Sequence, residues 1–423
     1  MVLSGLIDIF KEKLANRDIR TLLENFISLS ALQVVSIIVP LITLPYLLRV
    51  LGTFNYGTVV LAFSLINYFI TITDYSFRVT ATREVSIHRG NLKSISLIYS
   101  RVMLVKMALC VMSLIIISLI VWFYKPFFAE SNVFFLTAPI IVGYALFPEW
   151  FFQGIEKMKY ITIFNVSIKV FFAIGIFLFI KKPEDYWLYP LFQSLGFLIS
   201  GIIGQYVLIS KYKLKIYWIG FSRMRKTLVD NYPIFINQFM PNLYNNTSTF
   251  LLGVIIGNSS VGTYDAIKKI AELGVTLIGI VSRVFFPYLN RVKEAFSKFE
   301  KSMLLCGLVL TLGPIIFYKL IFWYLAIDYE YAFGVLTILS ISIFVITLYE
   351  IYGLNYFIVM RMDRLVMKNT FVASIIGFVS AFPLIYYFGI VGAALNLTLS
   401  RAIMGGGLFY KFKKMKQDEN SNS

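Results

Sequence analysis

Five positions stepping through an apolar stretch at intervals of three or four residues, Ser64, Asn67, Thr71, Asp74 and Arg78, reappear 205 residues later as Lys269, Glu272, Thr276, Gly279 and Arg283. Such spacing puts each series on one face of a helix. Charges inside apolar segments of membrane length face other protein or water rather than acyl chains, so the two stripes are expected to line one shared cavity. Each stripe ends in an arginine, whose planar fork suits paired oxygens of an anion.

The elements that must carry these residues are membrane spans. Of 423 residues, 58% are hydrophobic, 14% are charged and 40 are Phe, a balance far from that of a soluble domain. Runs of about 20 apolar residues, enough helix to cross about 30 Å of hydrocarbon, fall at 26–48, 56–77, 95–123, 132–152, 161–180 and 186–209. A second set falls at 230–257, 263–288, 302–325, 332–357, 366–388 and 390–411. The expected fold is an all-α integral membrane protein of twelve transmembrane helices in two six-helix lobes. An amphipathic segment at 1–25 on the cytoplasmic surface precedes a first lobe at 26–209, and a basic linker at 210–229 joins it to a second lobe at 230–411 with a tail at 412–423.

Most Lys and Arg in the connections fall on one side, whereas the other side holds Arg49, Lys125, Lys181 and Lys182. The charge rule therefore places both termini in the cytoplasm. The linker, with Lys211, Lys213, Lys215, Arg223, Arg225 and Lys226, is expected at an anionic leaflet surface. Other cations fall within the spans themselves. Arg101, Lys268 and Lys368 lie near span ends and read as anchors that snorkel to the interface. Lys106, Lys169, Arg283 and Arg401 lie deeper; with Lys269 and Lys319 they bring the cations within the spans to nine, against five intramembrane acids, Asp74, Glu149, Asp265, Glu272 and Glu350. An interior excess of positive charge predicts an anionic substrate.

Span seven points to the same cavity. Gln238, Asn242, Asn245, Asn246 and Thr249 share one helical face, and Pro233 and Pro241 loosen the backbone beneath them. Polar residues also serve as glue between membrane helices, but five along one line exceed that need. Gln33 is the first-half counterpart of Gln238, with Ser36 and Pro40 beyond it. Gly52, Gly57 and Thr58 recur as Gly257, Gly262 and Thr263, which completes an internal repeat. Six spans separate equivalent helices, so the halves are parallel repeats about an axis along the membrane normal.

Several chemistries are excluded by what the chain lacks. No GxxxxGK[ST] run is present for nucleotide hydrolysis. The single His88 has no His or Cys nearby to share a metal, and Cys110 and Cys306 sit in separate apolar spans, away from any disulfide framework. No external loop is long enough to fold a catalytic module. The N-terminus carries no cleavable signal pattern.

Six short runs, in order along nearly the whole chain, resemble Wzx-type O-antigen and polysaccharide-unit flippases. They are Leu51-Gly52-Thr53-Phe54-Asn55-Tyr56-Gly57; Asp74-Tyr75-Ser76-Phe77; Thr80-Ala81-Thr82-Arg83-Glu84; Trp150-Phe151-Phe152-Gln153-Gly154; Val261-Gly262-Thr263-Tyr264-Asp265-Ala266 with Lys268-Lys269-Ile270; and Gly389-Ile390-Val391-Gly392-Ala393-Ala394. The resemblance implies membership of the multidrug/oligosaccharidyl-lipid/polysaccharide exporter superfamily, whose two six-helix lobes form a V around an alternating central cavity. It also implies a non-enzymatic role in the bacterial inner membrane, carrying undecaprenyl-diphosphate-linked oligosaccharides to the periplasmic leaflet. A polysaccharide polymerase and a chain-length regulator are the partners it implies, and nucleic acid is not among them. The expected substrate set is Arg78, Arg283, Lys269, Lys106, Lys169, Arg401, Gln238, Asn242, Asn245, Asn246, Gln33 and Asn67. Asp74, Glu272, Glu350 and Asp265 are expected to hold those cations or to bind a coupling proton or sodium ion. No other cofactor is expected, and one lobe pair suffices for a functional monomer.

Three other classes compete. A drug exporter of the same fold would use Asp74, Glu272 and Glu350 for cationic compounds, against the interior positive charge. A major-facilitator transporter shares the span count, but its acidic and basic loop between spans two and three does not match Arg78–Lys93. A purely structural partner of a polysaccharide synthase would leave the polar stripes without a use.

Overall fold

The protein is seen in an all-helical computed structural model that describes residues 17–421. Residues 1–16, most of the segment expected to lie along the inner surface, fall outside the described residues. The first helix, α1 (Arg17–Asp74), carries both of the first two expected spans. Its 58 residues would measure about 87 Å if straight, far beyond the hydrocarbon thickness. The backbone breaks at Gly52 (φ 72°, ψ 170°), a conformation that only glycine takes without strain.

After α1 the chain turns at Tyr75 (φ 44°) and Ser76 (φ 61°) before α2 (Phe77–Ile87) begins. Left-handed backbone at side-chain-bearing residues costs about 1–3 kcal/mol each and persists only where packing holds it. Here Tyr75 stacks on Phe235, with ring centroids 4.5 Å apart and planes 11° apart. Its hydroxyl donates to the Leu228 carbonyl at 3.1 Å. The break corrects the expectation of one continuous stripe: Arg78 stands on a different helix from Ser64, Asn67, Thr71 and Asp74.

Next come α3 (Leu92–Phe123), N-capped by the Asn91 side chain, and four short helices, the last three of which fall where one fourth span was expected. These are α4 (Lys125–Ala129), α5 (Ser131–Thr137), α6 (Pro139–Leu146) and α7 (Glu149–Gly154). Pro139 starts α6, and Pro148, which cannot continue a helix, separates α6 from α7. Two longer helices follow, α8 (Met158–Phe179) and α9 (Leu188–Ser210). Residues 221–229, expected as linker, already belong to α10 (Phe221–Ile255).

The second stripe sits on α11 (Asn258–Arg291), which runs without interruption from Lys269 to Arg283. Beyond it are α12 (Phe296–Ile316), α13 (Tyr318–Leu325) and α14 (Ala332–Leu348), which continues as a π-helix over Tyr349–Ile358. The last element, α15 (Asp363–Ser421), repeats the device of α1 by breaking at Gly389 (φ 54°, ψ −126°).

Among the described residues, nine helical segments are long and apolar enough to cross a membrane, which makes this a multi-pass membrane protein. The polar stripe of α10 keeps that helix out of the nine. By internal contacts the described chain gathers into two compact units, one of residues 17–43, 69–181 and 187–235 and one of residues 44–68, 182–186 and 236–421. In the first unit Trp150, Phe151 and Phe152 of α7 are buried with Tyr99 and Val102 of α3, and Phe152 stacks on Tyr160 at 4.8 Å. In the second unit Tyr352 packs against Phe409 and Phe412 and donates its hydroxyl to Glu300 at 2.6 Å.

Candidate functional site

In the second unit, α11 presents Asp265, Lys268, Lys269 and Glu272 at i, i+3, i+4 and i+7, neighbours on one helical face. With Tyr244 and Asn245 of α10, Glu350 of the π-helix and Arg401 of α15 they line a cavity of about 570 Å³. Arg401 is almost fully buried, at 3% exposure. It forms an ion pair with Glu272 and donates to Ser342 Oγ at 2.9 Å. Lys269 Nζ lies 2.9 Å from Asp265 Oδ2 and also donates to the hydroxyl of Tyr56, which in turn donates to the same Asp265 oxygen at 2.6 Å. Lys268 donates to the Asn245 carbonyl at 2.8 Å. It was expected to snorkel at an outer end but lines the cavity instead.

The lining contains as many carboxylates (Asp265, Glu272, Glu350) as cations (Lys268, Lys269, Arg401). The net positive interior expected from the sequence is therefore absent from this cavity. Charges at low dielectric cost several kcal/mol apiece unless paired, and the pairs meet that need internally. Glu350 is the exception: its Oε2 is buried without a hydrogen-bond partner among the described residues.

The remaining second-unit candidates are placed apart from this lining. Arg283 is exposed on α11, and its Nε donates to the Gly279 carbonyl of its own helix at 3.0 Å. Of the α10 stripe, Asn245 reaches the cavity. Asn246 donates instead to Asn242 Oδ1 at 3.2 Å, so part of the stripe satisfies itself along the helix. Gln238 on α10 and Asn67 on α1 are half-buried.

The first unit holds a second network. Lys106 of α3, 2% exposed, lies 3.1 Å from Asp74 Oδ1 at the end of α1 and donates to the Tyr144 carbonyl at 3.2 Å. Arg78, just beyond the Tyr75–Ser76 break, is exposed and lies 3.2 Å from Glu149 Oε1. Glu149 is the first residue of α7, where the helix dipole favours negative charge. Lys169 of α8 donates to Ser36 Oγ of α1 at 2.6 Å, with half-buried Gln33 one turn earlier. Among the described residues Lys169 makes no salt bridge. Arg101, read as an anchor, pairs with Glu84.

Tyr56 was not among the expected site residues, although it stands beside the repeated Gly57 and within the first of the six family-like runs. Ser342, which helps to seat Arg401, gave no signal in the sequence. Chemically the two networks are alike: Lys106, Lys269 and Arg401 are each held by a carboxylate that another anion could replace.

Comparison with known proteins gives this arrangement a family setting. A family described as polysaccharide biosynthesis protein matches residues 22–293. The chain is 26% identical over 398 residues to the "Putative O-antigen transporter" of Escherichia coli (strain K12), covering 91% of this chain and 95% of that one. Among solved structures, an inward-facing MATE family multidrug resistance transporter of the MOP superfamily aligns with a TM-score of 0.65 at 11% identity, over 91% of this chain and 96% of the other. The lipid II flippase MurJ, in an inward closed conformation, also scores 0.65, at 13% identity over 92% and 87% of the two chains. Likeness at such identities is likeness of fold, and the fold is shared with these two transporters.

Proposed function

This chain belongs to the polysaccharide biosynthesis protein family, and from that premise we propose that it flips undecaprenyl-diphosphate-linked oligosaccharide units, for O-antigen or for capsule or exopolysaccharide, from the cytoplasmic to the periplasmic leaflet. The observation that carries this reading is the pairing of Lys106, Lys269 and Arg401 with Asp74, Asp265 and Glu272. A lipid diphosphate brings charge that hydrocarbon does not solvate. Lys106 and Arg401 are already desolvated and held in place by carboxylates, so they can accept it by exchange without a further desolvation cost of their own.

In this mechanism the exposed Arg78 and Arg283 engage the diphosphate first. Their planar guanidinium groups donate to two oxygens at once. The deeper cations take over as the protein changes state, and each released carboxylate is then available to a coupling proton or sodium ion. Asn245 and its α10 neighbours offer amides to sugar hydroxyls. Twelve spans in two six-helix lobes, alternating access, cytoplasmic termini and the absence of any catalytic step complete the proposal.

The rival with a specific observation behind it is a cation exporter, favoured by the three carboxylates of the cavity and the unpartnered Glu350 oxygen. Deleting the gene in its own host separates the two. Lipid-linked repeat units accumulating in the inner leaflet, with surface polysaccharide lost and drug tolerance unchanged, is the expected outcome. Normal polysaccharide with heightened sensitivity to cationic drugs would replace the flippase reading by the rival.

A further inference from the structure

Within the second unit, two equivalent turns of the repeat meet each other. A Cβ added to Gly57 would lie 1.8 Å from the carbonyl oxygen of Asn258, and one added to Gly262 would lie 2.1 Å from that of Thr53. Gly57 and Gly262 are equivalent at the 205-residue offset, and so are Thr53 and Asn258. The contact is therefore reciprocal, as two-fold packing of equivalent surfaces requires. Backbone meets backbone, because neither glycine has a side chain to hold the helices apart. Around it Thr53 Oγ1 lies 3.0 Å from Ser259 Oγ, and Asn258 Nδ2 donates to Thr58 Oγ1 at 2.7 Å. These turns belong to the side poor in Lys and Arg, the external one by the charge rule.

The residue preceding Gly57 is Tyr56, whose side chain is fully buried. Its hydroxyl donates to Asp265 and accepts from Lys269, and its ring centroid lies 5.2 Å from the Lys269 ammonium. One residue away from the glycine contact, α1 thus supplies the group that ties together an acid and a base of α11. A hydrogen bond from a buried phenol to a carboxylate is charge-assisted and strong, so it cannot be broken without consequence for the ammonium beside it.

We propose that the Gly57–Gly262 contact is the external closure of the transporter and that Tyr56 is the positioning residue that couples this closure to the anion site. While the turns meet, Tyr56 clamps Lys269 onto Asp265. When they part, the hydroxyl leaves with α1, and Lys269 is released to a diphosphate. The inference rests on the diphosphate reading of the cavity and adds what controls it.

The test uses the full-length Thr53→Cys/Ser259→Cys protein, with Cys110 and Cys306 replaced by Ser, in lipid nanodiscs with farnesyl diphosphate as the probe. The two hydroxyls replaced are within reach of a disulfide, so oxidation fixes the closure and reduction frees it. Coupling between sites is typically worth about five-fold or more in affinity. Oxidation is therefore expected to weaken probe binding by at least about five-fold, and by less than about two-fold once Tyr56→Phe has cut the tie while keeping the ring. A merely structural Tyr56 would lower the melting temperature and leave the effect of oxidation intact, which overturns its coupling role. Equal binding to the oxidised and reduced forms would overturn the inference alone. A probe that binds neither form would overturn the diphosphate reading with it.

Discussion

Arg401→Ala is expected to abolish transport and to destabilise the protein by about 2–4 kcal/mol, less than for a fully buried pair because Glu272 keeps some solvent. The buried guanidinium holds Glu272 and Ser342 together. Removing it leaves a carboxylate facing a cavity with no cation of its own, and one-sided removal is the costly way to break a pair. The effect on transport can be separated from the effect on folding. Arg401→Met combined with Glu272→Gln removes both charges, so thermal melting is expected to recover most of the lost stability while transport stays absent. Transport that returns with stability would show that Arg401 serves the fold alone.

Arg283→Ala is expected to give the opposite combination. This side chain is exposed, donates to a carbonyl of its own helix and makes no salt bridge among the described residues, although its charge is felt by Glu350. Stability should change by no more than about 0.5 kcal/mol, as for most surface substitutions. Surface polysaccharide is nevertheless expected to fall to the level of a deletion, with the protein still inserted and present in normal amount. Arg283→Lys keeps the charge but loses the two-oxygen geometry, and it is expected to be impaired as well. Full activity of Arg283→Ala, read as surface polysaccharide per inserted protein, would remove this residue from the substrate path. Full activity of Arg283→Lys would mean that charge alone matters there.

The two arginines also show how far the sequence could be read. Both stood out for the same reason, a cation at helical spacing within an apolar run, and pattern alone could not tell that one is buried in a pair and the other is free on a surface. Burial depends on α14 and α15 packing against α11, over sequence distances that periodicity does not reach. Composition and the 205-residue repeat did reveal a polytopic membrane protein and the residues of both charge networks. The pairings were less visible: Asp74 finds Lys106 and Arg78 finds Glu149 only because the chain turns left-handed at Tyr75 and Ser76, which no local propensity indicates. Lys268 lies near a span end in the sequence, but its direction on α11 turns it into the cavity. The interior excess of cations dissolved in the second-unit cavity once three-dimensional neighbours were known, since each long-range carboxylate had been counted without its partner.

The claim on which the account depends is that paired cations exchange their carboxylates for a lipid diphosphate. Its most direct test is flipping in vesicles containing the purified protein, with a fluorescent undecaprenyl-diphosphate oligosaccharide whose exposure on each leaflet is read by a membrane-impermeant quencher. Protein-dependent flipping is expected, and Arg401→Met/Glu272→Gln is expected to eliminate it. Vesicles with folded wild-type protein in which this lipid crosses no faster than in empty ones would contradict it.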